Sequence, residues 1–139
     1  MSWLIDTDVF SHLAKRHKDP RLVDWLASER HVCYTSTVVI AQLAYWVASK
    51  HGVQKARLGE WLTRLVRTME GRIYTFSVGI AYTWAELRLR LQEQGKPMPI
   101  EDSYIAATAL RHNLTIVTGN ERDFQRPGLK LFNPFNSLG

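Results

Sequence analysis

Leu114-Thr115-Ile116-Val117-Thr118, followed at once by Gly119-Asn120, is the stretch that decides the fold. The run has no strongly polar face, as expected of a strand inside a parallel sheet covered on both sides. Parallel neighbours need long crossovers, normally helices, so strands and helices should alternate along the chain. Upstream, the apolar run Trp3-Leu4-Ile5 ends at Asp6, turns through Thr7-Asp8 and enters helical spacing from Val9 to Ala14. Asp19-Pro20 opens a second helix, Asp as cap and Pro at the first helical position, where its missing N–H costs nothing. A second strand follows at His31–Thr35, and Ser36 or Thr37 is placed to cap the apolar helix Val38–Ala48.

The alternation continues. From Gln54 to Met69 the residues Leu58, Trp61, Leu62, Leu65, Val66 and Met69 recur at steps of three and four, the mark of an amphipathic helix. Gly71 ends it, Ile73–Phe76 reads as a third strand, and Ser77 caps a helix whose Ile80, Trp84, Leu87 and Leu91 share a face. Gly95 and Pro97-Met98-Pro99 break the chain; Asp102 begins an Ala-rich helix ending near Asn113, and Leu129–Phe132 forms a short last strand. No internal repeat or linker interrupts this order. The expectation is a single α/β domain over residues 1–139, three-layered α/β/α, with a mainly parallel sheet of four to five strands.

Composition narrows the function classes. Cys33 is the one cysteine of 139 residues, so no intrachain disulfide and no thiolate metal cluster can form, and a reducing, cytoplasmic setting is expected. No segment approaches the roughly 18 apolar residues of a membrane span, and the start Met-Ser-Trp-Leu-Ile-Asp has no secretion signal. Five scattered His residues lack zinc spacing, and no nucleophile-elbow sequence supports a Ser-His-Asp hydrolase. The net charge of +5, from 18 basic against 13 acidic residues, suits an anionic partner such as nucleic acid.

Against that basic background the acids are placed selectively. Asp6 and Asp8 follow the first strand, Glu101 and Asp102 open the Ala-rich helix, and Asp123 lies just past the fourth strand, near Asn120. In parallel α/β sheets ligands bind outside the carboxyl ends of the strands, so one rim is positioned to collect these groups. Carboxylates converging there would repel one another unless a cation lay between them, and hard divalent cations take oxygen ligands. Mg²⁺ or Mn²⁺ would then serve phosphodiester hydrolysis without a nucleophilic side chain. Taken singly, each acid also reads as a helix cap or a solvated turn residue.

Three segments resemble the signature blocks of VapC-type PIN domains, in matching order and separation across essentially the whole chain. They are Leu4-Ile5-Asp6-Thr7-Asp8-Val9-Phe10, Pro99-Ile100-Glu101-Asp102-Ser103-Tyr104-Ile105-Ala106-Ala107-Thr108-Ala109, and Leu114 through Phe124 with Thr118-Gly119-Asn120-Glu121-Arg122-Asp123 at its centre. The resemblance implies a metal-dependent endoribonuclease acting as the toxin of a toxin-antitoxin pair. Asp6 would be the first metal-binding carboxylate, Asp102 the third acid of the family quartet, and Asn120 or Asp123 the fourth position. Thr118 and Ser36 would support the site by hydrogen bonds.

The second acid of that quartet is the departure. In a block like Ser36-Thr37-Val38-Val39-Ile40-Ala41-Gln42-Leu43 the family typically carries Glu where this chain has Gln42. An amide oxygen still coordinates or accepts a hydrogen bond, but holds a cation less tightly and takes no proton. Three readings stay open: a natural variant with weaker metal binding, an inactive member serving mainly as an antitoxin-binding co-repressor, or a change introduced to tame a toxic enzyme. The resemblance further implies RNA as substrate, a VapB-like antitoxin and a homodimer. Arg88, Arg90, Lys96, Arg122 and Arg126 are candidates for guiding the RNA backbone. A receiver-like signalling domain would need a phospho-acceptor Asp after its middle strand, and Tyr34-Thr35-Ser36 and Phe76-Ser77 offer none.

Overall fold

Five short strands build the sheet: β1 (Trp3–Ile5), β2 (Cys33–Ser36), β3 (Ile73–Tyr74), β4 (Thr115–Val117) and β5 (Leu131–Phe132). They come from a computed structural model that describes residues 1–138. The strand order is β3-β2-β1-β4-β5 and every neighbouring pair is parallel. Trp3 pairs with Cys33 on one side and Thr115 on the other, and Ile5 pairs with Val117. The chain therefore leaves β1 toward β2 and β3 and later returns to add β4 and β5 on the opposite edge. That reversal puts the carboxyl end of β1 at the topological switch point, where α/β sheets bind ligands.

The crossovers are helices: α1 (Thr7–Leu13), α2 (Pro20–Glu29), α3 (Thr37–Ala48), α4 (Gly52–Thr68), α5 (Val78–Glu93), α6 (Ile100–Arg111), α7 (Glu121–Phe124) and α8 (Pro134–Ser137). They flank the sheet in the expected α/β/α layering. Local chemistry explains their starts. Asp19 accepts a hydrogen bond from the Arg21 N–H ahead of Pro20, Ser36 Oγ accepts from Val39 N–H, and Ser77 Oγ accepts from Ile80 N–H. α6 ends through Asn113 at φ 54°, a left-handed position that Asn tolerates better than most residues.

Three of the boundaries that differ from the sequence expectation bear on the site. Arg30–Val32 close a 3₁₀ turn, so β2 starts at Cys33 rather than His31. β3 keeps two residues, because Thr75 and Phe76 leave the sheet before Ser77 caps α5. α6 starts at Ile100, with Pro99 at the N-cap position, which puts Asp102 in the first turn instead of at the cap. The side chain of Asp102 is thereby released from capping.

Leu4 and Ile5 of β1 and Ile116 and Val117 of β4 are fully buried, as are Val39 and Leu43 of α3 and Ile105, Ala106 and Ala107 of α6. The alanines allow α6 to lie close against α5, where Trp84 Nε1 donates to Ser103 Oγ at 2.9 Å. Replacing Leu43 by Ala leaves a cavity under the helix that carries Gln42. We expect a loss of about 2–5 kcal/mol in unfolding free energy, read from urea denaturation followed by circular dichroism.

Candidate active site

Asp6 is placed by the end of β1. Its N–H donates to Val117 O at 3.0 Å, so the backbone is still held by β4 when the side chain leaves the sheet. Asp6 occupies the N-cap position of α1 yet makes no side-chain cap bond. The carboxylate, buried at 5 % exposure, accepts instead from Thr118 Oγ1 at 2.8 Å. The same hydroxyl accepts from the Asn120 N–H at 3.0 Å, which fixes its rotor and aims its single proton at Asp6.

Asp8, one helical step on, is anchored by the same turn. Its Oδ2 accepts from the Gly119 N–H at 2.8 Å and its Oδ1 lies 3.3 Å from Thr118 Oγ1. Glycine is required at 119 by space: a Cβ there would stand 2.8 Å from the Phe135 ring and 2.9 Å from Asp8 Oδ2. Asn120 caps α7, its Oδ1 accepting from Asp123 N–H at 3.4 Å while its Nδ2 donates to Asp123 Oδ2 at 3.1 Å. Asp123 thus stands behind Asn120.

These elements enclose an open cleft of about 440 Å³ lined by Asp6, Thr7, Asp8, Ser11, Gln42, Trp46, Asp102 and Asn120. Of the candidates read from the sequence, the structure brings Asp6, Gln42, Asp102 and Asn120 into this one cleft, with Thr118 beneath it. Gln42 Oε1 accepts a short hydrogen bond from the Thr7 hydroxyl, which ties α3 to the start of α1. Ser36 is buried as the cap of α3, and its neighbour Thr35 donates to Ile5 O at 3.0 Å, pinning the end of β1.

The five basic candidates divide by position. Arg88 Nη1 donates to Met98 O at 2.7 Å and Arg90 Nη1 to Pro127 O at 2.8 Å. Arg126 donates to Lys96 O and Pro97 O at 3.1 and 2.8 Å. These guanidinium groups brace the loops around α5 and α7 while keeping their charge. Lys96 and Arg122 are exposed. The charge of Arg126 reaches Asp102 and draws its pKa down, so this basic residue is electrically coupled to the cleft.

Burial first, then the charge of Asp8 and, more weakly, Asp102, push the Asp6 carboxyl up to about 7; the hydrogen bonds of the Thr7 backbone and the Thr118 hydroxyl oppose the rise. Burial and the charges of Asp123, Glu101 and Asp8 push Asp102 up to about 6. Asp8 is raised by burial against the Gly119 N–H. Carboxyls raised toward neutrality by burial and by one another's charge ionise at a cost that a nearby cation would offset.

Sequence reasoning missed Thr7, Ser11 and Trp46 as cleft residues. Trp46 had a readable signal, since it lies four positions after Gln42 and so on the same helical face. Thr7 and Ser11 had none beyond following Asp6.

The family description that matches is the PIN domain, over residues 3–129. The chain belongs to the PIN-domain family. Toxin FitB of Neisseria gonorrhoeae is 33% identical over 136 residues, covering 96% of this chain and 98% of that protein. VapC ribonuclease Y4jK of Sinorhizobium fredii is 29% identical over 139 residues, covering 95% and 96%. The crystal structure of FitAcB from Neisseria gonorrhoeae matches with a TM-score of 0.88 at 33% identity, over 96% of this chain and 99% of that one. Among the described residues no helix is long and apolar enough to cross a membrane.

The donors facing the cleft are oxygens and amides, the set hard divalent cations accept, with neither thiolate nor imidazole among the cleft residues. Among the described residues no three His, Cys, Asp or Glu side chains form a group that could hold an ion unaided. Mg²⁺ typically takes one or two carboxylates and completes its sphere with water and phosphate oxygens. Stability should report the same charge balance. With the Asp6 pKa raised from 3.8 to about 7, the metal-free folded state holds the proton more tightly than the unfolded chain. Its stability therefore falls as pH rises through that window, by up to about 4 kcal/mol from Asp6. Melting in EDTA should give a lower Tm at pH 8 than at pH 5, and Mn²⁺ should restore Tm more at pH 8. A metal-free Tm that rises across this range would contradict the site electrostatics.

Proposed function

We propose that this chain is the toxin of a type II toxin-antitoxin pair, a Mg²⁺- or Mn²⁺-dependent endoribonuclease that hydrolyses RNA phosphodiesters. The observation that carries the reading is that Asp6 and Asp102, 96 positions apart, open into one cleft at the switch point of a parallel sheet. The names of the relatives, a toxin and a VapC ribonuclease, support the same activity. By the same likeness the natural partners are a VapB-like antitoxin that covers the cleft and a second copy of the chain.

Asp6 and Asp102 are the residues that would hold the cation. When bound, it supplies Lewis-acid activation of water and neutralises charge developing on the phosphate. Thr118 keeps Asp6 oriented by donating to it, and the Asn120 N–H keeps Thr118 from rotating away. Asn120 faces the cleft with Asp123 holding its amide, a pair in which one residue presents and the other orients. Asp8 keeps the β4–α7 turn against α1 through the Gly119 N–H. Arg126 offsets part of the negative charge around Asp102.

One observation favours a second reading. Gln42 is neutral and one lone pair of its Oε1 is taken by the Thr7 hydroxyl, so this position adds no charge to the cleft. A weakened nuclease serving mainly as an antitoxin-binding co-repressor would follow. RNA digestion with Mg²⁺ or Mn²⁺, comparing the chain with Gln42→Glu and Asp102→Asn, separates the two. Gln42→Glu should gain activity and Asp102→Asn should lose on the order of 100-fold or more, while Thr118→Ala weakens metal binding about 10- to 100-fold. Equal rates from all of them would reject the mechanism; no cleavage by Gln42→Glu with antitoxin binding intact would favour the co-repressor.

A further inference from the structure

The hydrolytic reading leaves one feature on the α3 side of the cleft unused. Gln42 lines not only the acidic cleft but also a second open hollow of about 440 Å³, whose other walls are Ala41, Tyr45 and Glu101. The shared residue sets the two depressions side by side. Tyr45 is 80 % exposed, a large aromatic ring left uncovered directly beside the residues that face the phosphodiester. Ala41 leaves the floor shallow, so a flat group can approach the ring.

Glu101 decides what kind of group that is. Among the described residues it alone brings charge to the walls of the hollow, and a phosphate placed there would be repelled. A nucleobase edge bearing N–H donors would be drawn in, because a carboxylate accepts from such edges. Guanine presents two neighbouring donors, at N1 and N2, to the two carboxylate oxygens. Adenine turns an acceptor nitrogen toward them, uracil flanks its one N–H with carbonyls, and cytosine sets an acceptor beside its amino group.

Resting on the ribonuclease reading above, we propose that this hollow is a nucleobase subsite: Tyr45 stacks on an unpaired base adjoining the phosphodiester in the cleft, and Glu101 selects guanine there. Stacking requires the base to be out of a helix, so the hollow favours single-stranded RNA at the point of cleavage. Tyr45 and Glu101 are specificity residues in this scheme; neither lines the acidic cleft, although the charge of Glu101 reaches Asp102.

Binding isolates the claim from turnover. Fluorescence anisotropy with labelled oligouridines carrying a single guanine or adenine, in Ca²⁺ at low salt, gives the affinity and the base preference. Cleavage of a longer RNA in Mn²⁺ is followed alongside. The unmodified chain should prefer the guanine oligomer. Tyr45→Ala should weaken it on the order of tenfold, Tyr45→Phe should keep the affinity, and Glu101→Gln should remove the preference for guanine over adenine, with all three variants melting as the parent does. If the parent binds or cuts RNA and neither Tyr45→Ala nor Glu101→Gln changes affinity or preference, the subsite is wrong while the nuclease reading stands. If the two substitutions weaken antitoxin binding and leave RNA untouched, the hollow seats a protein segment and the proposal is overturned. If the parent neither binds nor cuts any RNA, and Gln42→Glu does not cut it either, both readings fall.

Discussion

The hydrogen bond from Thr118 Oγ1 to Asp6 Oδ2, 2.8 Å long and joining residues 112 positions apart, is the constraint on which the candidate centre depends. It exists because β1 and β4 are neighbours in parallel register, with Ile5 opposite Val117, so both strands release their next residue at the same height. One hydroxyl carries one proton, and the Asn120 N–H occupies its lone pair on the far side. The direction of that proton is therefore settled by the backbone of the turn. Without it Asp6 would be a buried carboxyl with only the Thr7 backbone to hold its ionised form, and burial would favour the neutral acid.

A second consequence of that register is the crowding of acids. Asp8, Asp102 and Asp123 all stand near enough to raise the carboxyls around them. The charge of Arg126 offsets part of this repulsion at Asp102. Arg88, Arg90 and Arg126 each spend their donors on loop carbonyls, which fixes positive charge in place near α5 and α7. The net charge of +5 is thus distributed unevenly, with basic residues at the periphery and carboxylates in the cleft. On the proposed reading, a cation in the cleft would lower its repulsion of a phosphate, which would couple binding of the two.

How much of this was legible in the sequence can be judged residue by residue. The run before Thr118, with no strongly polar face, implied a covered parallel strand, and the strand ends then implied a rim that collects Asp6 and Asn120. Asp102 was legible as an acid at a helix start, though the helix begins at Ile100, because Pro99 fixes the chain for entry. The pairing of Gln42 with Thr7 was not legible, since periodicity assigns a residue to a face and says nothing of which helix that face meets. Gly119 read as a turn residue, while the reason for it, the Phe135 ring and Asp8 on either side, comes from segments distant in the chain. The arginines read as an RNA-guiding set because charge is visible in a sequence and carbonyl partners are not.

Helix α3 shows how little separates the chemistry of the cleft from recognition beside it. Its inner residues Val39, Leu43 and Val47 are buried and set the rotation of the helix about its axis. Given that rotation, Gln42 and Trp46 must face the cleft, and Tyr45 must fall one position to the side, against Glu101. Packing alone therefore aligns a centre that would act on a phosphodiester with a ring that can stack on a base. Tyr45 is exposed and Gln42 only half-buried, its one side-chain hydrogen bond going to Thr7. The two positions are free to vary independently of the fold, which is the physical condition for tuning what is bound without rebuilding where the reaction occurs.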